Sequence, residues 1–347
     1  MRYLTATAAS YAGVDLHASS LHLCVLDSAG TVRLSRKLKA QPQPFLEALA
    51  PFRPDVLIGC ECVHTWYWLA DTCRDHNLRF ELGHAWAMKA IHKSKTKSDA
   101  HDAEIIARLL RGGNFPLAYA YPRERRGLRD LLRTRLRLVR QRAELYGHIH
   151  TVRRQLNLDS IGRDVKYKSK RDTAIAGITD EHTRRGIQAR LNLLVPLDTE
   201  IRRLERDIEV AAQEHFPTEL AILQTIPGVG PIISLTILLE INTISRFESR
   251  QQFCSYARLI APRQESDGKV VGVVNARAGN AWLKWAFSEA AVLSVQKDEA
   301  MKRYLDKLQS KHGVGKGLSI LAHKLGRVVY HLLRSGKVFD VDRFVRH

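Results

Sequence analysis

The sequence predicts an α/β domain at its N-terminal end, then a long helical coiled-coil arm, then a mainly α-helical C-terminal part. Three observations carry that expectation. Short aliphatic runs alternate with helix-period segments as far as about residue 120, the signature of strands and helices layered together. From 128 to 156 and from 181 to 214, apolar residues recur every three or four positions among many arginines. Beyond 216, apolar helices are separated by Gly- and Pro-bearing turns. The corresponding domains are residues 8–120, 121–215 and 216–340.

Taken in order, "YAGVDLHASSLHLCVLDSAG" (11–30) reads as strand, turn and strand, with Asp15 at the end of the first strand and "DSAG" closing the second. "PDVLIGCECV" (54–63) is a buried-type strand followed by the helical "HTWYWLADTCRDH", and "RFELGHA" (79–85) is a further strand. In "KSKTKSDAHDAEIIARLL" (93–110), Ser98 is placed to cap a helix that Lys93, Lys95 and Lys97 precede. The helix at 128–156 and the one at 181–214 have a basic connector between them. The second carries its apolar stripe on Ile187, Leu191, Leu194, Ile201, Leu204 and Ile208. Two long amphipathic helices joined by a loop predict an antiparallel coiled-coil arm, suited to dimerisation. "LQTIPGVGPIISLTILLEI" (223–241) has the look of a helix-hairpin-helix. Its Gly228 and Gly230 let backbone N–H groups approach a DNA phosphate, or equally let two helices pack closely. Trp282 and Trp285 are expected in the core.

The chain has 347 residues, a formal net charge of +19 and a pI near 9.9. Such an excess serves a polyanion, nucleic acid before membrane, and no small ligand requires it. No apolar run approaches the ~20 residues of a bilayer span, and "MRYLTATAAS" is too short in apolar residues for a secretory signal. A cytoplasmic protein without membrane contact is therefore expected. Five cysteines, an odd number set mostly in apolar segments, indicate reduced thiols. Strand alternation would send Cys60 and Cys62 to one face, but no second Cys/His pair at suitable spacing completes a zinc site.

Four acids stand where an α/β domain can bring them together: Asp15 and Glu61 at strand ends, Asp99 and Asp102 on the first turn of a helix. Residues three apart share a helical face, and side-by-side carboxylates repel unless a cation intervenes. Oxygen ligands favour Mg²⁺, with Mn²⁺ as the alternative. A two-metal site stabilises the attacking and leaving oxygens of a phosphodiester displacement. Singly, each acid is ordinary, Asp102 as a helix-start residue and Asp15 as a turn former. Jointly, a strand hairpin, a strand and then a helix bearing these acids is the arrangement of an RNase H-like nuclease.

The motifs "GVD" (13–15), "CE" (60–61), "KSDAHDAEIIARLL" (97–110), "IPGVG" (226–230), "APRQES.GK" (261–269) and "GNAWLKWAFSEAA" (279–291) follow one another along nearly the whole chain. In that order they resemble the transposases (recombinases) of the insertion-sequence 110 family, with a RuvC-like N-terminal domain and a distinct C-terminal transposase domain. The resemblance implies that Asp15, Glu61, Asp99 and Asp102 are the family's DEDD metal-binding carboxylates and that Ser266 is its catalytic serine. It implies serine attack on a DNA phosphodiester, a covalent phosphoserine link, and Mg²⁺ at the acidic site. It further implies a structured guide RNA that pairs with donor and target DNA. The polar loop "RQESDGK" sets Arg263 and Lys269 near enough to Ser266 to hold a phosphate. A serine hydroxyl needs a base or metal to become a nucleophile, and none stands near in sequence, so the carboxylate site is expected to supply activation. Cutting several strands in concert calls for a homo-oligomer, a dimer or tetramer. Two alternatives stand beside this: a Holliday-junction nuclease that uses the four carboxylates and water, and a non-catalytic DNA-binding protein. An actin-like ATPase shares the opening strand hairpin but needs a second glycine-rich phosphate loop after a later strand, which this sequence lacks.

Overall fold

The structure, a computed structural model, describes residues 2–91, 98–260, 264–266, 269–272 and 278–346. The chain divides into two compact units, Met1–Glu124 and Arg125–His347.

The first unit contains β1 (Ser10–Leu16), β2 (Ser20–Asp27), β3 (Val32–Lys39), α1 (Pro42–Leu49), β4 (Val56–Glu61), α2 (Trp66–Asp75), β5 (Arg79–Gly83), α3 (Ala85–Ile91) and α4 (Asp99–Arg111). The five strands form one sheet in the order β3-β2-β1-β4-β5. β2 is antiparallel to β1 and β3, whereas β4 is parallel to β1 and to β5. Alternation along the strands divides the sheet between two helical layers. Ala12, Val14, Leu16, Leu21, Leu23, Ile58 and Cys60 face α1 and α2, where Phe45, Leu49 and Leu69 close the core. The opposite parity faces α4: Tyr11 and Leu57 pack with Ile106, Leu109 and Leu110, and Cys24 and Leu26 pack with Ala103 and Ala107. Burial on both sides is why β1 and β4 read as unbroken apolar runs. β3, at the sheet edge, is mostly exposed and carries Arg33, Arg36, Lys37 and Lys39, charges that discourage edge-to-edge pairing.

The second unit begins in α5 (Arg123–Gln155) and continues through α6 (Glu181–His215), α7 (Pro217–Gln224), α8 (Pro231–Ile241), α9 (Arg250–Tyr256), the hairpin β6 (Gln264–Ser266) and β7 (Lys269–Gly272), α10 (Ala281–Lys297), α11 (Glu299–His312), α12 (Val314–Ser335) and α13 (Val341–Arg346). α5 and α6 run antiparallel, since Arg135 pairs with Glu205 while Arg142 pairs with Asp198 at 3.1 Å. The two pairs are one heptad apart on each helix. Beyond them Ile149, Ile187, Leu191 and Leu194 make a small core of their own. The connector between the helices is not a loose basic loop. It folds in two 3-10 segments, Asp164–Lys166 and Lys168–Ala174, and buries Val165 and Ala174 in that core. Arg153, buried, donates to the carbonyls of Asp159, Thr173, Ala174 and Ala176, which is how so cationic a segment is tied down. The larger core joins α7–α12 to the near ends of α5 and α6 and includes the partly buried Trp282 and Trp285. Among the described residues no helix is long and apolar enough to cross a membrane.

Candidate active site

Two glycines decide where α4 lies. A Cβ on Gly13 would sit 2.0 Å from the Ala103 carbonyl oxygen and 2.5 Å from the Ala107 nitrogen, and one on Gly59 would sit 2.7 Å from Leu110 Cδ1. The helix backbone therefore rests directly on β1, and its small residues Ala103 and Ala107 make that approach possible. One helical turn before Ala103 on the same stripe is Asp99. Ser98 caps the helix, accepting from the His101 N–H at 3.2 Å, and the Asp102 N–H donates to the Ser98 carbonyl at 2.9 Å. The helix dipole favours both acids on this first turn.

The strands deliver the remaining acids to the same face. Asp15 and Glu61 each lie two residues beyond a glycine that faces α4, and the parallel register pairs Val14 with Cys60, so Asp15 and Glu61 stand side by side at the ends of neighbouring strands. His17 Nε2 lies 3.2 Å from Asp15 Oδ2 and 3.4 Å from Asp99 Oδ1, and Lys37 Nζ lies 3.8 Å from Asp99 Oδ2. His22 is opposite Asp15 across the β1–β2 ladder and bonds Ser35 Oγ at 2.9 Å. Burial raises the pKa of Asp15 above its ordinary value. His17 opposes the rise, and the charges of Asp102 and Asp99 add to it. Three acids thus share one field, with one histidine bridging two of them.

Asp15, His17 and Asp99 offer ligand atoms within 4.8 Å of one another, close enough to hold a single ion. Asp102 acts on this group through its charge, and Glu61 flanks it by register. The donor set fits a divalent cation, whose charge would offset the burial and the acidic neighbours that together raise the Asp15 pKa. His17 adds a nitrogen donor beside the carboxylate oxygens expected from the sequence. Sequence reasoning passed over His17. Its signal was the "DLH" spacing, since residues two apart at a strand end project to one side. The "CEC" motif also resolves differently from the expectation: β4 ends at Glu61, so Cys60 is buried while Cys62, past the strand, is exposed. Burial lifts the Cys60 thiol well above its ordinary pKa, leaving it an inert core residue.

The remaining candidates lie in the second unit. The backbone of Ser266 ends β6 and pairs with Lys269 at the start of β7, so this pair closes a tight antiparallel hairpin. Arg263 lies outside the described residues, as do Lys93, Lys95 and Lys97. The chain after the hairpin is fixed at Asn280, which caps α10 by accepting from the Trp282 and Leu283 N–H groups and donates from Nδ2 to Glu240 Oε2 at 2.6 Å. Glu240 is buried in the apolar helix α8 and takes two 2.7 Å bonds from Arg133. Gly228, at φ +80°, presses on the α10 backbone, where a Cβ would lie 2.4 Å from the Ser294 nitrogen. Close packing accounts for Gly228. Gly230, by contrast, precedes α8 with no atom near the position of a Cβ.

Comparison with known proteins agrees with the two halves of this picture. Residues 12–157 match the transposase family model named for a DEDD motif and for IS110, and residues 220–306 match the Transposase IS116/IS110/IS902 family. The chain is 24% identical over 330 residues to the transposase for insertion sequence element IS1111A of Coxiella burnetii, covering 92% of this chain and 88% of that one. It is 26% identical over 339 residues to a Pseudomonas aeruginosa protein named "Probable family 20 transposase", covering 92% and 96%. The first match contains the acids of the sheet and of α4, the second begins in α7 and includes the serine hairpin, and both belong to one family. This chain is a member of the IS110 family of transposases.

Proposed function

We propose that this transposase moves its insertion sequence by cutting and rejoining DNA through Ser266, assisted by a divalent ion held among Asp15, Glu61, Asp99 and Asp102, with a guide RNA pairing to donor and target DNA. The convergence of Asp15, His17 and Asp99 under the first turn of α4 carries the reading, because a fold has no structural need to crowd acids there. The strand order β3-β2-β1-β4-β5 supports an RNase H-like, RuvC-like domain, and the α7–turn–α8 unit supports a helix-hairpin-helix with Gly230 as its open glycine. The heptad-spaced ion pairs between α5 and α6 support a coiled-coil arm through which a dimer or tetramer assembles.

In this reaction the Ser266 hydroxyl loses its proton and attacks the DNA phosphorus, and the sugar hydroxyl on the other side leaves with a proton. Attack by a hydroxyl from the second DNA then releases the serine and completes the join. A bound Mg²⁺ or Mn²⁺ would stabilise charge on the reacting oxygens. Arg263 and Lys269 hold the phosphate. Asp15, His17 and Asp99 would hold the ion.

The test incubates the protein with Mg²⁺, guide RNA and end-labelled DNA and looks for a protease-sensitive covalent adduct. Ser266→Ala is expected to abolish the adduct and Asp102→Asn to abolish cutting. Cutting by Ser266→Ala without adduct would instead identify a water-using nuclease. Normal cutting by Asp102→Asn would remove the metal-site assignment.

A further inference from the structure

Between α5, α6 and the folded connector lies a cleft of about 1000 Å³, remote in sequence from both the carboxylates and the serine. Its walls carry four basic side chains, Arg142, Lys166, Arg171 and Arg202, against the single acid Asp198. Asp198 lies between Arg142, at 3.1 Å, and the nearly buried Arg171, and so holds two guanidinium groups side by side. Arg171 is held from behind as well, its Nε donating to the Val165 carbonyl at 3.4 Å. One carboxylate offsets only one of the two charges, and Arg202 and Lys166, both exposed, add two more. Guanidinium groups fixed in place this way are prepared to fork onto phosphate oxygens without further ordering.

Two tyrosines share the cleft. Tyr146 is half-buried on α5, and Tyr167 stands on the connector with 57% of its surface exposed. An exposed aromatic ring beside a ring of cations, in a cleft at the upper end of the small-molecule range, suits a base stacked on the ring with its phosphate among the arginines. The volume exceeds the need of one nucleotide, and the exposed rim at Arg202 and Tyr167 leaves the chain of a polymer free to pass. Bases within a duplex do not present their faces for such stacking.

We propose that this cleft binds unpaired nucleotides of a single-stranded polynucleotide, with bases against Tyr146 and Tyr167 and phosphates held by Arg142, Arg171, Arg202 and Lys166. The proposal rests on the recombinase reading for the source of the strand, whether guide RNA or an opened DNA strand. Its chemistry stands on the cleft alone.

The experiment uses the full chain in EDTA, at about 0.2 M salt to weaken non-specific phosphate contacts. Labelled single-stranded RNA and DNA of about 12 nucleotides, within the range of known single-strand sites, carry a photoreactive 5-iodo-pyrimidine. Tyr167→Ala should weaken single-strand binding about ten-fold, Tyr167→Phe should restore it, and Arg202→Ala should reduce the salt slope by roughly 0.7. Duplex of the same sequence should change less than about two-fold, and irradiation should attach the base to Tyr146 or Tyr167. The tighter of the RNA and DNA arms names the source. Unchanged single-strand binding by Tyr167→Ala, an equal loss on duplex, or cross-links confined to other parts of the chain would each overturn the proposal. No metal or cleavage enters this assay, so a cross-link in the cleft alongside failed adduct formation would sink the recombinase reading and leave the site standing.

Discussion

The clusters around Glu240 and Asp15 are each built on a sheltered carboxylate, and they are neutralised in opposite ways. Glu240 is enclosed in α8, where Arg133 meets both of its oxygens and Asn280 adds a third donor. Asp15 is 16% exposed, yet its neighbours are two further aspartates and a half-exposed histidine, and its pKa rises. The first arrangement is complete without any ligand and fixes the end of α10 that follows the serine hairpin. The second sets three acids against one histidine and, at 3.8 Å from Asp99, one lysine. A fully matched buried ion pair is a device for position, whereas an under-neutralised group of acids at a helix start is a device for binding.

The sharpest way to break that distinction is to remove each carboxylate. Asp15→Asn should lower metal-dependent DNA cleavage by at least about 100-fold, because a ligand should cost no less than the groups that merely orient one. Its denaturation midpoint should not fall, since the change removes a buried charge and the repulsion from Asp102 and Asp99. Glu240→Ala should do the reverse: about 3 kcal/mol of stability lost in a denaturant titration, through a stranded guanidinium and a weakened α10 cap. If Asp15→Asn unfolds the protein, or Glu240→Ala leaves its midpoint unchanged, the two clusters are not different in kind.

The same contrast explains what the sequence could disclose. The carboxylates of the sheet and of α4 were legible because strand and helix periodicity place Asp15, Glu61, Asp99 and Asp102 by simple counting. The antiparallel pairing of α5 with α6 was legible for the same reason. Glu240 was hidden. One acid in "LTILLEI" announces burial, but its partners lie 107 and 40 residues away, and no local rule finds them. His17 was overlooked although it sits two residues from Asp15. The fold of the connector depends on Arg153 collecting carbonyls, an interaction without sequence period.

Gly13→Ala tests how α4 is delivered to the site. Its Cβ would fall 2.0 Å from the Ala103 oxygen, so the helix must lift, at a cost of roughly 1–3 kcal/mol and with cleavage reduced as Asp99 moves from Asp15. Gly230→Ala is the matched control, with open space at its Cβ and φ at −82°, and should leave the denaturation midpoint unchanged. Equal midpoints for the two variants would show that the close approach of α4 to β1 is not what holds the acids together.

The smallest effect concerns a third carboxylate that shares burial with Asp15 but not its acidic company. Glu81, on β5, has its pKa raised by burial, with Arg79 opposing the rise. The unfolded chain ionises this group near pH 4.5 and the folded chain only at higher pH, so wild-type stability falls as pH climbs between those two values. Glu81→Gln, which carries no charge to desolvate, should therefore equal wild type below the unfolded value and exceed it slightly at neutral pH, by roughly 0.5 kcal/mol or less. Divalent ions should leave that difference unchanged, because the relief at Glu81 comes from removing a charge and not from binding a cation. A Mg²⁺- or Mn²⁺-dependent gap would instead extend the metal-responsive face of the sheet from β1 to β5, and would blur the line drawn between the acids that bind and those that are merely buried.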